Sequence, residues 1–289
     1  MTSRPERPLL TLLYVPADQP ERVHKALDSD ADCVILDLED AVPPANKSRA
    51  RAVAMDAAVA ATRAGRPLQV RINQAGSSWC DADVEALGST PVEVGVRIPK
   101  CALPHIVSQL ADSLPDRPLH LLVESALGVE RAFDLASAHP LVTSIGLGEA
   151  DLRADLGVRG DEGLAYSRGR VVSAAAAAGL SPPVMSVFPD TRDADGLRRS
   201  CEQGRLLGFL GRTAIHPRQL PVIRQAFTPS GDEVARARGL LTAAKGVGGD
   251  GAIALPDGRF VDEAVLRQAR RTVALAEALG RRGDGAGQR

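Results

Sequence analysis

The chain has 289 residues, 44% of them hydrophobic, and 35 Lys and Arg nearly balance 36 Asp and Glu. That length suits one large domain or two modest ones, and the balanced charge offers no field to draw nucleic acid or an anionic membrane, so small molecules and other proteins are the expected partners. No apolar run is long enough to span a bilayer and "MTSRPERPLL" lacks the apolar centre of a secretion signal, which makes a cytoplasmic protein the expectation.

Short β-rich runs alternate with longer Ala- and Leu-rich segments from the start. "LLTLLYV" precedes a helical stretch at 19–28, "CVIL" one at 45–64, "LQVRI" one at 79–87 and "VGVRI" one at 102–113. "LHLLV" then precedes 127–137, "VTSIGL" 163–179, "PVMSV" 192–207 and "GRTAI" 217–227. Apolar runs with little polar alternation suit parallel strands covered on both faces, and eight βα repeats predict a (β/α)8 TIM barrel over residues 10–228. A doubly wound open sheet is the rival, but no G-x-G-x-x-G follows the first run and no G-x-x-x-x-G-K-[ST] occurs.

After 228 the rhythm changes, and residues 229–279 predict a helix-hairpin-helix extension. Ser230 is placed to cap a helix, "GVGGDG" is a Gly-rich link, "AIALPDGRFVD" turns at Asp257–Gly258, and a helix follows from about 263 to 279. The tail 280–289 has a disordered composition. Cys33, Cys80, Cys101 and Cys201 form no C-x-x-C pair and the five His residues are scattered, so reduced buried thiols are expected and any metal must be held mainly by oxygen.

In a barrel the chemistry sits where polar residues end apolar strands. Asp37 and Glu39 follow the second run, Arg71 ends the third, Lys100 follows the fourth, Glu124 ends the fifth and Asp151 follows the sixth. Residues at i and i+2 of a strand share a face, so Asp37 and Glu39 can point together. Four converging acids repel one another unless a cation sits among them. Mg²⁺, or Mn²⁺ in its place, fits, with Asp37 and Glu39 holding metal-bound waters. Taken singly, each acid is more often a solvated loop residue or, for Asp151, a helix cap, and the bases are often salt-bridge partners. The weight lies in the set. His216 before Pro217 reads as structural, Trp79 as packing, and Glu149 as shaping the loop that carries Asp151.

The blocks "LLYVPADQPERVHKAL", "DCVILDLEDAV", "VRIN", "IPK", "VESALGVERA", "GLGEADLRADLG", "AIHPRQLPVIRQAFTPS" and "GRFVDEAVLRQAR" run in the order found in citrate lyase beta-subunit-like proteins. The chain therefore resembles the HpcH/HpaI aldolase superfamily of Mg²⁺-dependent TIM barrels over about residues 10–279. The resemblance implies that Glu124 and Asp151 bind Mg²⁺ directly, that Asp37 and Glu39 line the site through water, and that Arg71 contacts the substrate carboxylate or developing enolate. Arg71, Glu124 and Lys100 are the expected substrate-binding residues. Asp262 resembles the acid of a C-terminal lid that closes over a neighbouring subunit, which implies a homotrimer or homohexamer. Two positions depart from the family pattern: Leu127 stands where an Arg is usual and Ala17 where a Gly is usual. The first bears on substrate identity and on CoA recognition.

The implied activity is a retro-Claisen cleavage of a 3-hydroxyacyl-CoA of the malyl-, citramalyl- or citryl-CoA kind to acetyl-CoA and a 2-oxo acid, with Arg71 stabilising the enolate oxygen and Asp262 exchanging the proton at the acetyl carbon. Two alternatives stand beside it. One is a malate-synthase-like condensation with thioester hydrolysis; the other is a non-catalytic subunit binding metal and acyl-CoA within a larger complex.

Overall fold

A computed structural model describes residues 8–247, 253–254 and 260–280. The chain divides into two compact units, Leu9–Arg224 and a second that begins at Gln225.

The first unit is built on parallel strands whose apolar residues are buried on both faces. They are β1 (Thr11–Pro16), β2 (Cys33–Asp37), β3 (Leu68–Arg71), β4 (Gly95–Ile98), β5 (Leu119–Val123), β6 (Val142–Leu147) and β7 (Arg212–Ala214), hydrogen-bonded in the order β6-β5-β4-β3-β2-β1-β7. Each strand's apolar run, such as Val34, Ile35 and Leu36, is almost wholly out of water, the pattern expected when helices cover a parallel sheet. The connecting helices are α1 (Pro20–Leu27), α2 (Lys47–Arg63), α3 (Cys80–Ser89), α4 (Pro104–Ser113), α5 (Ala126–Glu130), α6 (Ala132–Ala136), α7 (Glu149–Leu156), α8 (Ala165–Ala177), α9 (Ala194–Leu206) and α10 (Leu220–Phe227).

The expectation of eight strands needs correction at "PVMSV". That segment forms no strand of its own, only a single parallel bridge from Met185 to Arg212. Its backbone does run beside β7, with Met185 N–H donating to Gly211 O at 2.9 Å, Thr213 N–H to Met185 O at 3.0 Å and Leu210 N–H to Pro183 O at 2.9 Å. Toward β6, no backbone hydrogen bond joins it among the described residues. The cause is local. Pro182 and Pro183 have no N–H, so the segment enters its place without two of the donors a ladder needs. The result is a seven-stranded parallel sheet whose strands all border one cavity, rather than a continuously hydrogen-bonded eight-stranded closure.

The second unit pairs α11 (Gly231–Val247) with α12 (Glu263–Gly280), around Val261 and Leu266 packed against Leu240 and Leu241. Ser230 does cap α11: its Oγ accepts from Glu233 N–H at 3.2 Å while Glu233 Oε2 accepts from Ser230 N–H at 2.7 Å, a reciprocal capping box. β8 (Ile253–Ala254) and β9 (Phe260–Val261) pair antiparallel. The Asp257–Gly258 turn, the Gly-rich link beyond Val247 and the tail beyond Gly280 lie outside the described residues. Among the described residues no helix is long and apolar enough to cross a membrane. All four cysteines are free and buried.

Candidate active site

A cavity of about 350 Å³ opens over the C-terminal ends of the strands of the first unit. Tyr14 of β1, Asp37 of β2, Arg71 of β3, Arg97 of β4, Glu124 just beyond β5 and Asp151 of α7 all line it. Parallel registers set this out directly, since Asp37 sits opposite Arg71 and Arg71 opposite Arg97.

Asp37 is 2% exposed and holds Arg71 in a fork, with Nε donating to Oδ1 at 2.7 Å and Nη2 to Oδ2 at 2.6 Å. The same carboxylate accepts from the backbone N–H of Glu39 at 2.9 Å and of Ala41 at 3.2 Å, which folds the chain after β2 back over the strand end. Four donors occupy Asp37, so its charge is spent on Arg71 and on its own loop. Glu39 pairs with Arg71 Nη1 at 3.0 Å and with Lys100 Nζ at 2.9 Å, contacts that are charge pairs rather than aligned hydrogen bonds. Burial raises the Glu39 pKa while Arg71 and Lys100 pull it back down. Burial likewise opposes the Arg71 charge, but the Asp37 hydrogen bonds and charge win and raise its pKa. Lys100 also reaches Asp40 at 3.3 Å; neither Lys100 nor Glu39 is part of the cavity lining.

Lys47, at the start of α2, was not a residue that sequence pattern singled out. Its ammonium is buried, donates to Leu38 O and Glu39 O at 2.6 Å each, and sits 5.3 Å from the Trp79 ring centroid. It pins the acidic loop from below, and Trp79 supplies a packing face, as its sequence context suggested.

Glu124 is 5% exposed, and burial, helped by the charges of Glu39 and Asp151, pushes its pKa up to about 8. Two backbone features make room for it. Lys100 adopts φ +54°, unusual for a residue with a side chain, and so turns its N–H to donate to Glu124 Oε2 at 3.0 Å. Gly148 lies so close that a Cβ there would meet Glu124 Oε1 at 2.2 Å. Asp151 stands exposed in the first turn of α7, where the helix dipole favours an anion. The start of that helix is fixed by Glu149, held in a fork by Arg168 of α8 at 2.8 and 2.7 Å. Glu149 thus does shape the segment that carries Asp151.

His216 caps the short turn Pro217–Gln219, its ring accepting from Arg218 N–H at 3.1 Å, and it does not line the cavity. Asp262 belongs to the second unit and caps α12, with Oδ1 accepting from Val265 N–H at 2.9 Å. Leu127 is exposed in the first turn of α5.

Among the described residues no three His, Cys, Asp or Glu side chains converge on one point that could hold a metal. Glu124 and Asp151 share one cavity, and the charge of Asp151 is among those that raise the Glu124 pKa. Two carboxylates with the nearest guanidinium already committed elsewhere suit a hard divalent cation that takes one or two protein oxygens and fills its other places with water and substrate.

Comparison with known proteins places this geometry in context. The family model for HpcH/HpaI aldolase/citrate lyase matches residues 10–217. The chain is 36% identical over 276 residues to a (3S)-malyl-CoA thioesterase of Cereibacter sphaeroides, covering 94% of this chain and 96% of that one. It is 31% identical over 290 residues to the citrate lyase subunit beta of Leuconostoc mesenteroides subsp. cremoris, covering 94% and 95%. A crystal structure of protein CitE from Mycobacterium tuberculosis in complex with magnesium, acetoacetate and coenzyme A superposes with a TM-score of 0.81 at 34% identity, covering 93% of this chain and 98% of that one.

Proposed function

The chain belongs to the HpcH/HpaI aldolase/citrate lyase family, and from that premise we propose that it is a Mg²⁺-dependent carbon-carbon lyase cleaving a 3-hydroxyacyl-CoA of the malyl-, citramalyl- or citryl-CoA type. The observation that carries the reading is the pairing, in one cavity, of two mutually repelling carboxylates with a rigidly held guanidinium: Glu124 and Asp151 facing the site of Arg71. The seven-stranded sheet and the segment beside β7 support a (β/α)8-type barrel as its scaffold.

The reaction breaks the C2–C3 bond of the acyl chain, converts the hydroxyl to the oxo group of a 2-oxo acid with loss of its proton, and leaves the bonding pair as a thioester enolate that must be protonated at carbon. Glu124 and Asp151 would hold Mg²⁺, which when bound supplies Lewis acidity and a template for the hydroxy-carboxylate. Arg71 would stabilise the enolate oxygen; Asp37 and Glu39 fix its guanidinium before the charge develops, so little reorganisation remains for the reacting state. Lys100 orients Glu124 through its backbone and Glu39 through its side chain. Asp262 of a neighbouring copy would deliver the proton to the acetyl carbon, which makes a homotrimer or a multiple of it the working assembly.

A second reading is thioester hydrolysis, favoured by the similarity to proteins named (3S)-malyl-CoA thioesterase. Incubating purified protein and Mg²⁺ with malyl-, citramalyl- and citryl-CoA separately, beside Glu124→Ala and Asp262→Asn, tells them apart by mass spectrometry. Acetyl-CoA from one thioester, lost in both variants, supports the lyase. Free CoA with the hydroxy acid intact supports the thioesterase, and metal-dependent turnover unchanged in Glu124→Ala would sink the site assignment.

A further inference from the structure

The cavity holds a second buried guanidinium for which the chemistry above has no use. Arg97 lies on β4 directly opposite Arg71 in the parallel register, so two cations stand side by side on one face of the sheet. Their surroundings differ. Arg71 is neutralised by Asp37 and Glu39, whereas among the described residues no carboxylate lies within ion-pairing distance of Arg97. Arg97 is 2% exposed, and its side-chain partner is the neutral Gln69, whose Oε1 accepts from Nε at 2.9 Å and from Nη2 at 2.7 Å. On the other side of β4 its register partner is His120, which burial and then the Arg97 charge itself push down to a pKa of about 3, so it too is neutral. The Tyr14 ring, 6.0 Å from the guanidinium carbon, completes the wall.

An arginine cannot shed its charge by losing a proton as a buried lysine can, and a buried charge calls for an anion. The fold does not supply one. Arg97 nonetheless lines the same cavity as Glu124 and Asp151, where a bound acid would sit. Gln69 takes two of the five N–H donors and fixes the plane of the fork, leaving other donors to be answered from the cavity side.

We propose that Arg97 receives the second carboxylate of a dicarboxylic 2-oxo acid, so that the preferred acyl chain carries a carboxymethyl group rather than a methyl or hydrogen on its hydroxyl-bearing carbon. This rests on the lyase reading for the identity of the reaction, and on the Arg97 environment alone for the charge it selects. A guanidinium set to donate in parallel favours a planar carboxylate, and an apolar methyl in the same place leaves it unanswered, the arrangement that gives large discrimination between substrates.

The test is calorimetric titration of the full-length, Mg²⁺-loaded protein with pyruvate and with freshly dissolved oxaloacetate, for wild type, Arg97→Met and Arg97→Lys, each variant checked by thermal melting. Wild type is expected to bind oxaloacetate at least about tenfold more tightly than pyruvate, the scale of one charge-assisted pair. Arg97→Met erases that difference and leaves the pyruvate Kd within about twofold, since pyruvate makes no use of Arg97. Should Arg97→Met fail to fold, Arg97→Lys decides: it keeps the charge but loses the planar fork, so the preference falls. The proposal is overturned if wild type binds neither acid or shows no preference, if Arg97→Met weakens both alike, or if the preference survives in either folded variant. The two readings fail separately. An Arg97-dependent preference without cleavage of any thioester removes the lyase and keeps the dicarboxylate site; cleavage of citryl-CoA to oxaloacetate with the same kcat/KM in wild type and Arg97→Met removes the dicarboxylate site and keeps the lyase.

Discussion

Protonation of Glu124 should govern how tightly the protein binds Mg²⁺. Burial comes first, and the neighbouring charges of Glu39 and Asp151 second, in raising its pKa from 4.5 to about 8. The sign follows from the direction. An acid whose folded pKa is raised is protonated through the window between about 4.5 and 8, and a protonated carboxyl is a poor metal ligand, so binding Mg²⁺ must expel that proton. At pH 6, about two units below the raised value, only about one molecule in a hundred has Glu124 ionised, which weakens the apparent affinity about 100-fold, or about 2.7 kcal/mol. Calorimetric titration of the metal-free protein with MgCl2 at pH 6, 7, 8 and 9 reads this directly. The expected Kd tightens about tenfold per unit from pH 6 to 8 and levels off above, with about one proton released at pH 6 as measured in buffers of different ionisation enthalpy. Glu124→Gln should bind more weakly and lose the slope. A flat Mg²⁺ affinity between pH 6 and 8 in the wild type would mean either that Glu124 is not a ligand or that its carboxyl is already ionised, and would rule out a protonation-gated site.

Three further outcomes follow from the packing. Gly148→Ala places a methyl 2.2 Å from Glu124 Oε1, so it should cost about 1–3 kcal/mol in urea denaturation and weaken Mg²⁺ binding by about tenfold or more. Arg71→Met leaves Asp37 and Glu39 buried without their guanidinium and should destabilise by about 3–5 kcal/mol, part of which returns when Asp37→Leu is added; additive losses would show that the pair is not the unit described. Asp262→Asn keeps a side chain that caps α12 as well as Asp does, so the melting temperature should stay within about 2 °C while turnover falls by about 100-fold or more; equal activity would remove Asp262 from the reaction.

Much of this site is legible in the sequence because a parallel strand advertises where it ends. Asp37, Arg71 and Glu124 each close an apolar run, and a polar residue in that position reaches the cavity through the pleat. Arg97 was hidden by the same rule. It stands inside "VGVRI", one strand step short of the end, and only the strand register reveals that it faces inward beside Arg71. The i, i+2 spacing of Gln69 and Arg71 carried the signal, since a strand that points two polar side chains inward needs polar company on its neighbour. Lys47 was invisible for a different reason: its burial depends on α2 meeting the loop after β2, a tertiary contact with no local pattern. The missing strand at Met185 was readable in principle, because two consecutive prolines precede Val184 and remove ladder donors. Lys100 shows the opposite limit. Its place after β4 was evident, but not that its backbone, at φ +54°, serves Glu124 while its side chain turns to Glu39 and Asp40.

The central claim, metal-dependent cleavage of a carbon-carbon bond in this cavity, is tested most directly by product stoichiometry. Each of malyl-, citramalyl- and citryl-CoA is given to the protein with Mg²⁺ and again with excess chelator, and acetyl-CoA, 2-oxo acid and free CoA are quantified together. Acetyl-CoA and oxo acid are expected in a one-to-one ratio from one of the thioesters, with neither formed under chelation. Free CoA in equal amount to an intact hydroxy acid, or cleavage that continues with the metal removed, would contradict it.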